Sequence, residues 1–157
     1  MTAEEVIRRH RMARHPEGGW YREVYRSPAA LPFLPVHGGS RPALTVIHFL
    51  LPRGDFSAFH RLKSEEAWVH LGGGPLEMFL LGEEPVRRVL SPDGGDGAQV
   101  VVVPAGVPQA ARSLGDYTLS ACLVAPGFDF GDFSLPSREE LTAEYPGEAE
   151  RIRALTR

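Results

Sequence analysis

The chain has 157 residues, 43% hydrophobic and 24% charged, with 17 basic and 20 acidic side chains and a net charge of −3. This is the composition of a globular protein of one-domain size with enough apolar mass for a core. Its dispersed, mildly acidic balance argues against a nucleic-acid partner, whose phosphates require a basic face. The single cysteine, Cys122, excludes an intrachain disulfide and a cysteine-cluster zinc site; in the apolar run Leu119–Val124 it reads as a small core residue. No apolar run approaches the ~20 residues of a membrane-spanning helix. The first twelve residues read as a helix rather than a leader, so a cytoplasmic location without membrane contact is expected.

Thr2 is placed to cap that helix, with Glu4 and Glu5 in its first turn and Arg8, Arg9 and Arg11 towards its end, an order that suits the helix dipole. Val6 and Met12 are its apolar anchors, which predicts a short helix lying on the surface. The segment His15–Gly19 (HPEGG) breaks it. Trp20–Arg26 (WYREVYR) alternates apolar and charged residues and predicts a strand. Ser27–Pro42, rich in Pro and Gly, predicts a long loop.

Further strands are predicted over Leu44–Leu51, Phe56–His60, Ala67–Leu71, Leu76–Leu81, Val86–Leu90, Gln99–Val103 and Tyr117–Val124. Gly/Pro-rich turns separate them, including SPDGGDG at Ser91–Gly97. Pro126–Phe133 (PGFDFGDF) reads as a compact aromatic loop. Ser137 caps a C-terminal helix that Pro146 interrupts and Glu148–Leu155 resumes. About eight short strands with helices only at the ends predict an all-β sandwich or barrel.

The chemistry concentrates in Gly54–Gly73. A strand ends in His60, a polar turn follows, and Glu66, Trp68 and His70 share one phase of the next strand. Two strands joined by a short turn bring an imidazole and a carboxylate to one face, the raw material for a metal site or an acid/base pair. Glu65 is out of phase and reads as a solvated turn residue. His10, His15 and His37 fall in termini or loops and are not counted among the candidates.

Here the chain resembles the cupin superfamily. The first cupin motif, G-x5-H-x-H-x3,4-E-x6-G, is matched by Gly54, His60, Leu62, Glu66 and Gly73; the second, around P-x-G-x2-H, by Pro104, Gly106 and Gln109. More narrowly, HPEGGWYREVYRS, FHRLKSEEAW, VPAGVPQAA and VAPGFDFGDF are similar to the cupin-5 (DUF985) group, over roughly Met12 to Leu135. The resemblance implies a double-stranded β-helix, or jelly-roll β-barrel, with short terminal helices. It implies one cupin domain over 1–157, with the barrel at about 17–135 and a helical tail at 137–157. It also implies a homodimer paired through the sheets.

A typical cupin binds a divalent metal through two His and a Glu of the first motif and a His of the second. Here two of those positions are Leu62 and Gln109. Leucine cannot ligate, and an amide is a poor ligand for Zn, Fe or Ni, so no metal or other cofactor is assigned. If a metal is held, His60, Glu66, Gln109 and His70 are its candidate ligands.

The chain also resembles, in part, the metal-independent dTDP-sugar 3,5-epimerases, in which one barrel histidine acts as base. Gly19–Glu23 and His60–Leu62 carry that likeness. It implies His60 and Glu66 as catalytic residues acting on a sugar-like or carbonyl compound, with Tyr21 or Arg22 holding an oxyanion or phosphate. Asp129 or Asp132 would orient the imidazole. Glu23, Ser57, Trp68, His70 and Gln109 complete the substrate-binding candidates. A metal-dependent cupin enzyme and a non-catalytic ligand-binding barrel are the alternatives.

Overall fold

A computed structural model describes residues 1–93 and 97–157. The turn predicted at Ser91–Gly97 lies partly outside the described residues. In chain order the elements are helix α1 (Ala3–His10) and strands β1 (Ala13–Arg14), β2 (Trp20–Arg26), β3 (Ala30–Leu34), β4 (Gly39–Pro42), β5 (Thr45–Pro52) and β6 (Phe56–Leu62). Strands β7 (Glu65–Gly73), β8 (Leu76–Leu81), β9 (Pro85–Leu90), β10 (Val100–Val103), β11 (Gln109–Ser113) and β12 (Tyr117–Ala125) follow. A 3-10 turn (Phe130–Asp132), strand β13 (Phe133–Ser134) and helices α2 (Arg138–Glu144) and α3 (Ala149–Ala154) complete the chain.

The strands form two larger antiparallel sheets, one in the order β1-β2-β5-β12-β7-β10 and the other β13-β6-β11-β8-β9, with β3 and β4 as a separate hairpin. Neither large sheet closes on itself, which corrects the expected jelly-roll barrel: both are open and end at distinct edge strands. Strand count and spacing suit a sandwich and a barrel equally, because closure depends on the pairing of sequence-distant edges. Two of the four edges, β1 and β13, are only two residues long, which limits the exposed ladder that another chain could extend.

The main core lies between the sheets. Phe49, Leu51, Trp68, Val101, Val103 and Cys122 from the first sheet meet Leu76, Met78, Leu80, Leu90 and Ala111 from the second. Strand β12 alternates buried and partly buried residues from Tyr117 to Val124, the period-2 signature of a sheet with one covered face. Strand β8 (LEMFLL) is buried throughout. Its alternate residues Phe79 and Leu81 pack beneath Leu141, Ile152 and Leu155 of the C-terminal segment, so α2, α3 and the residue after them cover the back of this sheet. A third cluster seats Val6 and Met12 against Leu50, beside Trp20 and Leu119, as the anchors of α1 predict. Thr2 and Glu5 form the capping box of that helix.

Two expectations need correction. Ser27–Pro42 is not a plain loop: Ala30↔Pro42 and Leu31↔Arg41 pair in the β3–β4 hairpin. Gln109–Ser113 pairs as β11 between β6 and β8, although its short, Ala-rich sequence carries no strand pattern. No helix among the described residues is long and apolar enough to cross a membrane.

Candidate functional site

His60 is 1% exposed and sits on β6, in the second sheet. Its Nδ1 lies 2.7 Å from the Ala58 carbonyl oxygen. A carbonyl only accepts, so Nδ1 carries the proton and Nε2 presents a lone pair. That lone pair faces Glu17, whose Oε2 is 3.2 Å away.

Glu17 reaches this position through the HPEGG turn. The Gly18 amide donates to the His15 carbonyl at 3.0 Å, and the Glu17 carbonyl accepts from the Ala58 amide at 2.8 Å, strapping the turn to β6. Both glycines are required. Gly18 has φ +106°, and an added Cβ would lie 2.1 Å from the Phe56 carbonyl oxygen; Gly19 has φ +75° and would meet Leu50 and Phe49 at 2.9 Å. From the far end of the chain, Arg157 Nη1 donates to the Glu17 main-chain oxygen at 2.7 Å.

The Glu17 carboxyl therefore sits among acceptors. The Glu17 amide donates to His15 Nδ1 at 3.2 Å, which leaves that nitrogen's partner, Nε2, as the protonated one. Oε2 is thus flanked by the lone pairs of His15 Nδ1, at 3.6 Å, and His60 Nε2. Among the described residues only Ser57 Oγ donates to the carboxyl, to Oε1 at 2.9 Å. An ionised carboxylate facing two neutral imidazole lone pairs is repulsive, so the trio must hold one further proton on the Glu17–His60 axis. Burial pushes the Glu17 acid up to about 8, against the opposing pull of Ser57 and Arg157. Burial pushes the His60 imidazole down, with Glu66 opposing. His15 is pushed down to about 4 by burial and by the proximity of His60.

Glu66, on β7, lines the same cavity. Burial pushes it up to about 7, opposed by His60 and by hydrogen bonds from Gln109 and Trp68 and reinforced by Glu17. Trp68 Nε1 is shared between Glu66 Oε1 at 3.2 Å and Gln109 Oε1 at 2.9 Å. Gln109 is aligned with His60 across β11–β6. Apolar walls come from Ile47, Phe49, Leu62, Val124 and Phe128. The free volume is about 30 Å³, room for one or two waters. Phe133 stands 5.5 Å from the His60 ring, so the aromatic loop packs against the site.

The predicted residues divide accordingly. His60, Glu66, Ser57, Trp68, Gln109 and Tyr21 converge on the cavity or its immediate hydrogen bonds. Arg22 and Glu23 are exposed, with Glu23 paired to Arg26 at 2.6 Å. His70 bonds the Gly74 carbonyl, remote from the cavity. Asp129 is exposed and caps its own turn at Gly131. Asp132 is held by two 2.8 Å bonds from Arg41, so neither aspartate orients His60; Glu17 stands in that place. His15, set aside in the sequence, is buried beside it.

The ligand set that the cupin resemblance implies is incomplete among these residues. Leu62 faces the cavity without a donor, and the Gln109 amide oxygen already accepts from Trp68. Among the described residues no group of three His, Cys, Asp or Glu is arranged to hold a metal ion.

Fold and site together define a small two-sheet protein with a narrow imidazole–carboxyl pocket. The chain belongs to the family described as "Cupin superfamily (DUF985)", whose model matches residues 4–136. It is similar to a solved protein from Shewanella oneidensis, 34% identical over 100% of this chain and 98% of that one, with a TM-score of 0.90. A hypothetical protein from Leishmania major is 28% identical over 99% of both chains, with a TM-score of 0.92. Oxalate decarboxylase from Bacillus subtilis is 17% identical, with a TM-score of 0.56 over 90% of this chain and 36% of that one, a likeness of fold alone. Comparison with curated proteins found no match.

Proposed function

We propose that this protein is a proton-transfer enzyme of isomerase or epimerase type, acting on a small carbonyl compound. The observation that carries the reading is the His60–Glu17 pair, buried at one cavity, with His60 Nε2 3.2 Å from a carboxyl that is itself pushed into the neutral range. General acid–base catalysis is most effective when the catalytic pKa lies near the working pH.

His60 is the base. It removes a proton from the carbon beside the carbonyl, and the C–H electron pair moves into the forming enol. Glu66, with its acid near 7, donates the proton that the carbonyl oxygen takes up. Return of a proton to carbon completes an isomerisation or epimerisation with no net oxidation. Glu17 is a positioning residue that fixes the imidazole and carries the shared proton. Entry requires the loop bearing Phe128 and Phe133 to lift, because the free volume of about 30 Å³ is smaller than a substrate.

The test is solvent deuterium exchange. Keto and hydroxycarbonyl compounds are incubated with the protein in heavy water and followed by NMR. Exchange at the carbon beside the carbonyl, lost in His60→Ala, is expected. Ligand binding that survives His60→Ala with no exchange across the panel would instead make the cavity a binding site without turnover.

We further propose that the outer face of the first sheet pairs with a second copy. Val102, Ala67, Leu123 and Val46 lie side by side across four strands, with Val100, Val69, Ala121 and His48 in the adjacent row. Val100 and Val102 are about half exposed, and contiguous apolar patches of this kind mark interaction surfaces. Sedimentation should give a dimer that Val102→Lys dissociates; a monomeric parent protein rejects the pairing.

A further inference from the structure

The charge of the cavity wall is one-sided. Its described lining includes Glu17, Glu66, His15 and His60 but no Arg or Lys. The guanidinium groups nearby are engaged outside it. Arg157 binds main-chain oxygens of Glu17 and Phe56 and the Asp55 carboxylate. Arg41 is paired with Asp132, and Arg26 with Glu23. A phosphate or carboxylate entering this cavity would meet two carboxyl groups and no compensating cation, in surroundings where charge interactions are weakly screened. The nucleotide-sugar class suggested by the epimerase likeness is therefore the wrong charge for this wall.

A cation meets the opposite arrangement. Neither Glu17 nor Glu66 has a cationic side chain bonded to its carboxyl among the described residues. Burying a carboxyl is costly unless it is paired or used, and two such groups share this cavity. The remaining wall is aromatic: Phe49 and Trp68 stand edge to face at 5.4 Å and 83°, and Tyr21 and Phe128 line the same space. Aromatic faces attract ammonium groups, more strongly when these are desolvated.

We infer that the cavity recognises a small molecule bearing a protonated amine, which takes the place of the proton otherwise held at Glu17 and sits on that carboxylate, with Glu66 as a hydrogen-bonding neighbour, against the Trp68, Phe49 and Tyr21 rings. Resting on the proton-transfer reading, the substrate class becomes an amino-substituted carbonyl compound, such as an amino ketone or an amino sugar. An ammonium beside the reacting carbon also makes its proton easier to remove.

The test is a charge-matched series on two skeletons: aminoacetone, hydroxyacetone and pyruvate; glucosamine, glucose and glucuronate. Binding to the parent protein is followed by ligand-detected NMR. The amine members should bind about tenfold more tightly than the hydroxyl members, with the anions weakest. A fold of this size is reached by 1.4 kcal/mol. The preference should vanish in the Glu17→Gln/Glu66→Gln double variant, with a thermal melt showing that this variant is folded. If it does not fold, each single variant should lower the preference separately.

Equal response to amine and hydroxyl members, including no response to either, overturns the inference, as does preference for the anions. Amine preference without deuterium exchange on any member leaves this inference standing and removes the proton-transfer reading. Exchange on a neutral or anionic carbonyl without amine preference does the reverse.

Discussion

Two buried carboxyl groups in this protein live under opposite rules. Glu77, on the back of the second sheet, is 6% exposed and clamped by the Nε atoms of Arg87 at 2.6 Å and Arg112 at 2.5 Å. Those guanidinium groups hold its acid below the ordinary range despite burial. Glu17 is 5% exposed and, among the described residues, has only a hydroxyl donor on its carboxyl, so burial wins and the acid rises to about 8. Similar exposure thus gives a permanent anion in one place and a proton carrier in the other. The difference is the supply of cations, which the chain places on its periphery and withholds from the cavity.

The largest expected effect that sharpens this comparison is catalytic. His60→Ala should lower substrate deuterium exchange by roughly 10²–10⁴-fold, the usual contribution of a general base; Glu77→Gln should leave the exchange rate within about twofold. A comparable fall in both would erase the distinction between the two carboxyls.

Next in size is stability. Glu77→Gln removes charge-assisted hydrogen bonds and should cost about 2 kcal/mol in denaturant unfolding. Glu17→Gln should not destabilise at alkaline pH, and the pH dependence gives the sign. Glu17 and Glu66 rise from 4.5 to about 8 and about 7, so the folded chain holds more protons than the unfolded chain between 4.5 and those values. Stability therefore falls as pH rises through that window. Glu77, whose acid is lowered, contributes stabilisation above the ordinary range that is lost as pH falls through its folded value. Unfolding at pH 5 and pH 9 should show Glu17→Gln gaining on the parent protein only at the higher pH. A gain at both pH values, or at neither, would refute the proton assignment.

The smallest expected effect concerns Asp129. Its cap at Gly131 is local and exposed, so Asp129→Ala should cost about 0.5–1 kcal/mol and leave exchange unchanged. A large activity loss would place it in the site after all.

Much of this arrangement was legible in the sequence where local chemistry decides it. The capping residues Thr2 and Ser137, the alternation of Tyr117–Val124 and the Gly/Pro punctuation gave most element positions. The phase of His60 and Glu66 put both on one cavity. What escaped depends on long-range pairing. Sheet closure is set by which edges meet, and β11, with its short Ala-rich sequence, is defined by β6 and β8 on either side rather than by its own pattern. Glu17 was hidden because HPEGG reads locally as a helix breaker. The available signal was an acid directly followed by two glycines, which the packing now explains: no side chain fits at 18 or 19. Asp129 and Asp132 misled because aspartates in a turn satisfy their own loop or a nearby arginine as readily as a distant histidine.

The straps around Glu17 have a consequence for how the site comes into being. Ser57 and Glu17 are 40 residues apart, Trp68 and Gln109 are 41 apart, and Arg157 and Glu17 are 140 apart. Closing such loops costs chain entropy before any contact rewards it. The acid of residue 17 gains its unusual proton from burial, which needs the distant segments to dock, even though the Ser57 and Arg157 that come with them pull against that proton. A peptide spanning His15–Trp20 would hold a common glutamate, titrating like any other in water. The reactivity belongs to the completed topology and to no fragment of it.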